Sequence, residues 1–470
     1  MNFELTTLGH YVKIQGGYAY KSHDFLDESN NKVLKIKNIR AGYVTYDDCA
    51  YISDELASKT KAWSVSEGDV LISMTGSGPN APQSLVGRVA RVWNGDAYLN
   101  QRVGRVVLKS NFSIHLDFIY YYLSQNSTQE YFVANSTGSA NQANISGKTI
   151  EDLPFPIVDF EDSYRISKVL LDLDKKILVN FNINQTLEQM AQALFKSWFI
   201  DFEPVKAKIA VLEAGGSQAD ATLAAMAAIS GKDAHALAVF EREHPERYAE
   251  LKTTAELFPS AMQDSELGKI PEGWSIKPLD GIATYQNGLA LQKFRPENEN
   301  DFLPVVKIAQ LKKGFSDGEE KASPNIKPEC IIDNGDVVFS WSGSLMVDIW
   351  CGGQAALNQH LFKVSSTKYP KWLYYKYTAH HLIEFQRIAE AKAVTMGHIK
   401  REHLSQAKCL IPSSETICAF TPFFEPVLNR VISNRLESRK LENLRDTLLP
   451  KLLSGEITLP EAEQIISEEA

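Results

Sequence analysis

Few side chains in this 470-residue chain are grouped in a way that could do chemistry, and each grouping lacks a member. His380-His381 and the pair His398 and His403 are imidazoles that could hold zinc. Neither combines helical ligand spacing with Cys or carboxylate partners, so no metal site is expected. Gly76-Ser77-Gly78 and Ser342-Gly343-Ser344 set serines among glycines but do not form the Gly-x-Ser-x-Gly elbow that exposes a nucleophile. Glu319-Glu320-Lys321 carries a nuclease-like Glu-x-Lys with no Asp upstream at matching spacing. No glycine-rich loop runs into Lys-Ser or Lys-Thr, which excludes a phosphate-binding P-loop. The Asp-Pro-Pro-Tyr and Asn-Pro-Pro-Phe elements of amino-methylating DNA enzymes are also missing. No catalytic residue is assigned, and recognition is favoured over catalysis.

What stands out instead is a set of windows without acid: Val70 to Gly95, Ala134 to Lys148, Ile349 to Ile383 and Ala391 to Arg401. They are rich in Ser, Asn, Gln, Thr and Gly, with single Lys or Arg residues between. Such surfaces suit a polyanion read by hydrogen bonds as well as by charge, although ordinary polar loops share the composition. The chain as a whole is acidic, with 49 basic and 58 acidic side chains and a net charge of −9, so any nucleic-acid contact must be local or shared with a partner. The acidity lies outside the windows' neighbourhoods: residues 1–155 carry −1 and residues 269–410 carry +3. A composition of 44% hydrophobic and 23% charged residues excludes a disordered or fibrous chain. The five scattered cysteines, with no CxxC pair, fit free thiols in a reducing cytoplasm. No secretory leader is expected, and no apolar run approaches the ~18 residues of a membrane span.

The elements that carry these windows occur twice. Leu34 to Gly42 matches Val306 to Gly314, Gly68 to Ser77 matches Gly335 to Ser344, and Leu99-Asn100-Gln101 matches Leu357-Asn358-Gln359. Ile145 to Leu153 tracks Ile399 to Ala407 in apolar pattern. The order is kept while the offset drifts from 272 to 254, as two copies with different loop lengths require.

After each copy runs a stretch with apolar residues alternating three and four apart, the seam of a coiled coil. Leu173, Ile177, Asn180, Leu187 and Leu194 mark the first; Val427, Val431, Asn434, Leu441 and Leu448 mark the second. Asn180 and Asn434 break the two seams at the same register, as buried Asn does where it fixes pairing. Spans of about 33 residues give a pair on the order of 50 Å long, more than the about 34 Å of one DNA turn. The fold class expected is α+β: two similar α/β domains joined and spaced by two long helices pairing as an antiparallel coiled coil, pseudo-twofold. The boundaries expected are 1–155 for the first domain, 156–202 for the central helix, and 203–268 for a helical insert or linker, whose stretch Ala210 to Phe258 reads as two or three short helices broken at Gly215-Gly216 and Gly231. The second domain then takes 269–410, the distal helix 411–457 and a tail 458–470.

Gly68-Asp69-Val70-Leu71-Ile72-Ser73 and Leu99-Asn100-Gln101-Arg102-Val103 resemble the target-recognition domains of type I restriction–modification specificity subunits. Leu448-Leu449-Pro450-Lys451-Leu452-Leu453-Ser454-Gly455-Glu456-Ile457, the run from Leu194 to Val205 and the lead-in Leu267 to Trp274 are similar to other parts of that family. The first copy lacks its own Pro-Glu-Gly-Trp lead-in. The resemblance implies a non-catalytic subunit that binds a bipartite double-stranded DNA sequence, one half per domain, with the helices setting the unspecified spacer. It implies two methyltransferase subunits as partners and, in the full enzyme, two motor–nuclease subunits. S-adenosylmethionine, ATP and Mg would belong to those partners, and this chain would bind no cofactor and no membrane.

Base edges are read by polar side chains presented from loops. The candidates in the first domain are Tyr18, Lys21, Ser77, Asn80, Gln83, Ser84, Arg88, Asn141, Gln142 and Lys148. In the second they are Lys312, Lys313, Ser342, Ser344, Lys392, Thr395, His398, Lys400 and Arg401. Lys21, Lys312 and Lys313 are expected on phosphates, and Tyr18 on sugar or base. The repeated Asn-Gln pairs are read as structural or partner-facing, because residues that read different bases should differ. The competing reading is a coiled-coil scaffold with duplicated protein- or glycan-binding domains.

Overall fold

The computed structural model describes residues 4–78, 86–110, 114–139, 142–298, 300–316, 318–391 and 397–469. The chain divides into two units, one of residues 1–177 with 440–470 and one of residues 178–439.

In the first unit a five-stranded sheet runs in the order Val12–Gly16, Val103–Leu108, Val70–Ser73, Val89–Arg91 and Gly42–Tyr43. A four-stranded sheet, Ala50–Ile52, Asn31–Leu34, Ala97–Leu99 and Ser64–Val65, lies in the same domain. Val70 to Ser73 is buried along its whole length, which explains the unbroken apolar run Val-Leu-Ile. The second unit repeats this arrangement. Its strands Thr284–Asn287, Leu361–Ser365 and Val337–Ser340 pair as Val12–Gly16, Val103–Leu108 and Val70–Ser73 do. Leu34 pairs Leu99 in parallel, and Val306 pairs Leu357 in parallel. Thr7 opposes Pro154, and Pro278 opposes Lys408. These registers reproduce the drifting offsets of the sequence repeat, so the duplication holds at the level of backbone pairing.

The repeated phrases have local causes. Gly68 and Gly335 adopt φ of +91° and +88°, a region costly for residues with a Cβ. The following Asp69 and Asp336 accept from the backbone N–H of Ser66 and Asp333 at 3.1 and 2.8 Å, closing the turn that launches the buried strand. Gly17 and Gly288 each face the backbone of the repeated Leu-Asn step so closely that a Cβ would collide with the carbonyls of Asn100 and Leu357.

Two long helices, Phe160–Phe195 and Ser414–Ser454, pair antiparallel. In the second unit Asn180 Nδ2 donates to Glu437 Oε2 at 2.8 Å, while Asn184 Nδ2 reaches back to the Val431 carbonyl at 3.3 Å. Asn434 Nδ2 donates to Asn184 Oδ1 at 2.8 Å, so three asparagines form one buried polar layer. In the first unit Leu170 and Leu173 share a core with Leu444, Leu448 and Leu452. In the second, Phe195, Trp198, Phe199 and Phe202 pack with Phe420 and Phe424. Trp274 of the Pro-Glu-Gly-Trp phrase lies edge-on to Phe202 at 5.9 Å, which gives that phrase a packing role. Leu194 packs against this second core, while Ile177, Leu187, Val427 and Leu441 are half-buried.

Three helices, Gln218–Ser230, Ala234–Glu243 and Pro245–Glu256, lie within the stretch 210–258 read as two or three, and a fourth, Glu203–Glu213, begins ahead of it. Gly215-Gly216 and Gly231 break the insert as expected, and Pro245 adds a further break by opening a new helix at its first position. Ala225, Met226, Leu237, Leu251 and Ala255 form its small core. Lys208 is buried there and donates to the Phe258 carbonyl at 2.6 Å. A helix also covers Leu459–Glu469, within the stretch read as a tail. Among the described residues no single helix is long and apolar enough to cross a membrane, and no group of three His, Cys, Asp or Glu side chains could hold a metal.

Candidate nucleic-acid interface

In each domain three pieces of chain meet at the end of the buried strand. The Met74 N–H donates to the Arg102 carbonyl at 2.9 Å, and the Ile145 N–H donates to the Met74 carbonyl at 3.0 Å. In the second domain the Trp341 N–H donates to the His360 carbonyl at 3.4 Å, and the Ile399 N–H donates to the Trp341 carbonyl at 3.0 Å. The strand end, the Asn-Gln turn and the segment entering a short helix therefore form one polar edge per domain. Tyr18 bridges to Asn100 at this edge, and Leu289 bridges to Asn358 in the repeat.

Several sequence candidates come together here. Gln142 is exposed on a short hairpin with Asn144, and its neighbour Ala143 pairs with Gly76. Ser77 lies just beyond that pairing and is buried, at 8% exposure. Ser342 bridges His398, and the Gly343 N–H donates to the Gly397 carbonyl at 2.9 Å, so Ser342, exposed Ser344 and exposed His398 share one loop cluster. Ser342 itself is 3% exposed and hydrogen-bonds His360 Nδ1 at 3.0 Å. Lys312 and Lys313 are exposed on the last turn of Ile308–Lys313, whose Ile308 lies beside Gly343.

Others are engaged within the chain. Lys148 pairs with Asp152 at 2.5 Å and Lys400 with Glu402 at 3.5 Å, both in the open. Arg401 donates to the Tyr285 carbonyl at 3.2 Å and lies over the Phe362 ring. Tyr18 is half-buried between Tyr20 and Trp63, at 4.8 and 5.0 Å, while Lys21 is exposed. Asn80, Gln83, Ser84, Asn141, Lys392 and Thr395 lie outside the described residues.

Arg88 donates to the Ile39 carbonyl at 3.4 Å, which sets its guanidinium beside Arg40. Burial, and then the charge of Arg40, push Arg88 below the ordinary arginine value. Arg40 was absent from the sequence candidates, although the repeat places it at the register of Lys312. Thr75, Arg102, Asn144 and His360 were absent as well. Their signal was the same repeat, read for positions that differ inside or directly beside matched phrases.

A family model described as the type I restriction modification DNA specificity domain matches residues 1–189 and 271–438, both copies with much of each long helix. The chain belongs to this family. The type I restriction enzyme HindI specificity subunit of Haemophilus influenzae is 30% identical over 367 residues, covering 75% of this chain and 80% of that protein. The MjaIX specificity subunit of Methanocaldococcus jannaschii is 24% identical over 351 residues, covering 73% and 69%. The crystal structure of a type I restriction–modification S subunit from M. genitalium matches over 97% of both chains, with a TM-score of 0.50 and 12% identity, a likeness of fold. As a specificity subunit this chain is a DNA-recognition component of a restriction–modification system. Its four-helix insert falls outside the two matched segments.

Proposed function

We propose that this specificity subunit does no chemistry itself and reads a bipartite double-stranded DNA sequence, one half with each domain. The observation that carries the reading is the duplicated polar edge. Its backbone pairings agree between copies, while the side chains around them differ: Thr75, Arg102 and Asn144 against Ser342, His360 and His398. A constant frame with changed side chains suits two readers of different sequences.

In this reading the subunit works in the cytoplasm and brings two methyltransferase subunits to the site, joined in the full enzyme by two motor–nuclease subunits. S-adenosylmethionine, ATP and Mg act in those partners. Val179 and Met190, exposed at 49% and 60% and eleven residues apart on one face of the first long helix, give a partner subunit apolar side chains to cover. Partner surfaces would supply phosphate contacts that a chain of net charge −9 makes sparsely.

The test is a single-molecule methylome of the host with and without this gene. Loss of one split motif, two short specific parts flanking an unspecified spacer, is the expected result. An unchanged methylome with the partners expressed would favour the scaffold reading.

A further inference from the structure

The duplication allows the two polar edges to be compared residue by residue, and one position separates them sharply. Residues 102 and 360 follow the identical Leu-Asn-Gln step. The carbonyl of each accepts from the residue that ends the buried strand, Met74 or Trp341. The turn itself is closed in both copies, Val103 N–H to Asn100 carbonyl at 2.9 Å and Leu361 N–H to Asn358 carbonyl at 3.0 Å. The side chains therefore leave equivalent places on equivalent, hydrogen-bonded backbone.

In the second domain the side chain is His360, held through Nδ1 by Ser342 at 3.0 Å. In the first it is Arg102, and Thr75 Oγ1, at the position of Ser342, donates to Asn144 Oδ1 at 2.8 Å instead. Arg102 is exposed, and its guanidinium makes no hydrogen bond or ion pair with any described residue. Nearby arginines of the same domain are engaged: Arg91 with Asp117 at 2.7 Å, Arg105 with Gln15 at 2.6 Å. An exposed arginine on a hydrogen-bonded turn, its fork unoccupied by any described residue and its carbonyl held by the residue before Thr75, is arranged for a planar pair of acceptors. In duplex DNA that pair is O6 and N7 of guanine, which a guanidinium contacts with two parallel hydrogen bonds.

Resting on the DNA-reading proposal above, we propose that Arg102 reads a guanine in the half-site of the first domain. His360, with Nδ1 engaged by Ser342 at 3.0 Å and Nε2 lying 3.4 Å from Gln359 Nε2, presents no two-donor fork at the corresponding position of the second half-site. The two half-sites thus differ in what this position demands.

The test uses the whole complex with its methyltransferase partners. Methylation rates are measured on duplexes carrying every single-base change in the recognised sequence, for the wild type, Arg102→Ala and Arg102→Lys. The expected result for Arg102→Ala is a roughly 10- to 100-fold loss of discrimination at one G·C pair, in one half only, with the other half unchanged. Arg102→Lys keeps part of that discrimination. His360→Arg, the reciprocal change, should alter preference in the other half alone. A uniform weakening on all sequences with a shallower salt dependence would mark Arg102 as a phosphate contact and overturn the proposal. Unchanged discrimination would overturn it equally. Thermal denaturation of Arg102→Ala controls for folding, and an exposed side chain that pairs with no described residue should leave it within about 1 °C of wild type. A wild-type complex that methylates no split sequence would defeat the DNA-reading proposal itself, a failure distinct from that of Arg102.

Discussion

Arg445 of the second long helix and Asp174 of the first lie 2.6 Å apart, and the Tyr121 hydroxyl donates to the same carboxylate at 2.6 Å. One carboxylate at 7% exposure thus joins both helices to the first domain. Burial opposes the charge of Arg445, but Asp174 and then Asp446 outweigh it and hold the guanidinium firmly protonated. Burial and Asp174 likewise push the Tyr121 hydroxyl up, so it remains a donor. Asp174→Ala should leave a half-buried guanidinium and a buried hydroxyl without their partner, costing roughly 2–4 kcal/mol. Denaturant unfolding reads this directly. A loss below the noise would mean that water or Asp446 replaces the carboxylate.

The asparagine layer makes the opposite kind of prediction. Asn180 and Asn434 are almost wholly buried, and the Oδ1 of each accepts nothing from the described residues. Asn434→Leu alone removes the donor to Asn184 Oδ1 and should destabilise by about 1–3 kcal/mol. Replacing Asn180, Asn184 and Asn434 together by Leu removes the orphaned acceptors as well and should raise the midpoint of thermal unfolding. If the triple variant melted below the single one, the layer would be a net source of stability and this account would fail.

The duplicated frame was legible in the sequence because its cause is local. Gly68-Asp69 and Gly335-Asp336 are repeated turn chemistry, and Asn180 and Asn434 are repeated interruptions of an apolar seam. The start of the helix ahead of Gly215-Gly216 was not legible, because Val205 and Ile209 continue the apolar character of the aromatic run before them. Its start is set by the left-handed backbone of Phe202, φ +56°, which no pattern reports. At the polar edge, Arg102 and His360 carry no pattern of their own, because they stand one residue past the matched Leu-Asn-Gln step that reads as framework. A matched phrase draws the reading away from the differing position just beyond it.

Gly17 and Gly288 test the duplication as a physical constraint. A Cβ at either would strike the backbone carbonyl of the Leu-Asn step, and backbone on a hydrogen-bonded strand end cannot give way cheaply. Gly17→Ala and Gly288→Ala should each cost roughly 3 kcal/mol or more. Gly16→Ala, where nothing lies within 4 Å, is the control and should cost well under that. Equal behaviour of residues 16 and 17 would show that the strand end tolerates the shift.

His381 supplies a pH dependence of stability. Its Nε2 faces the Lys408 carbonyl at 3.1 Å and Cys409 Sγ at 3.9 Å, with the Tyr377 ring stacked at 6.5 Å and Phe385 alongside. Burial first, and then the neighbouring His380, push the imidazole down to about 4, against a smaller opposing pull from the Lys408 carbonyl. An unfolded histidine titrates near 6.5. Between these values the unfolded chain binds a proton that the folded chain refuses, so stability falls as pH drops from about 6.5 and the loss levels off near 4. Above about 6.5 the group contributes nothing to the slope. With the ring only partly buried, the loss should be roughly 2 kcal/mol, less than full conversion of the shift would give. Melting curves of the wild type and His381→Gln, taken from pH 7.5 to 4.5, isolate the term, because acidic and other histidine contributions are common to both. The two midpoints should converge as pH falls, since only the wild type loses this contribution; curves that stay parallel would remove His381 as the cause.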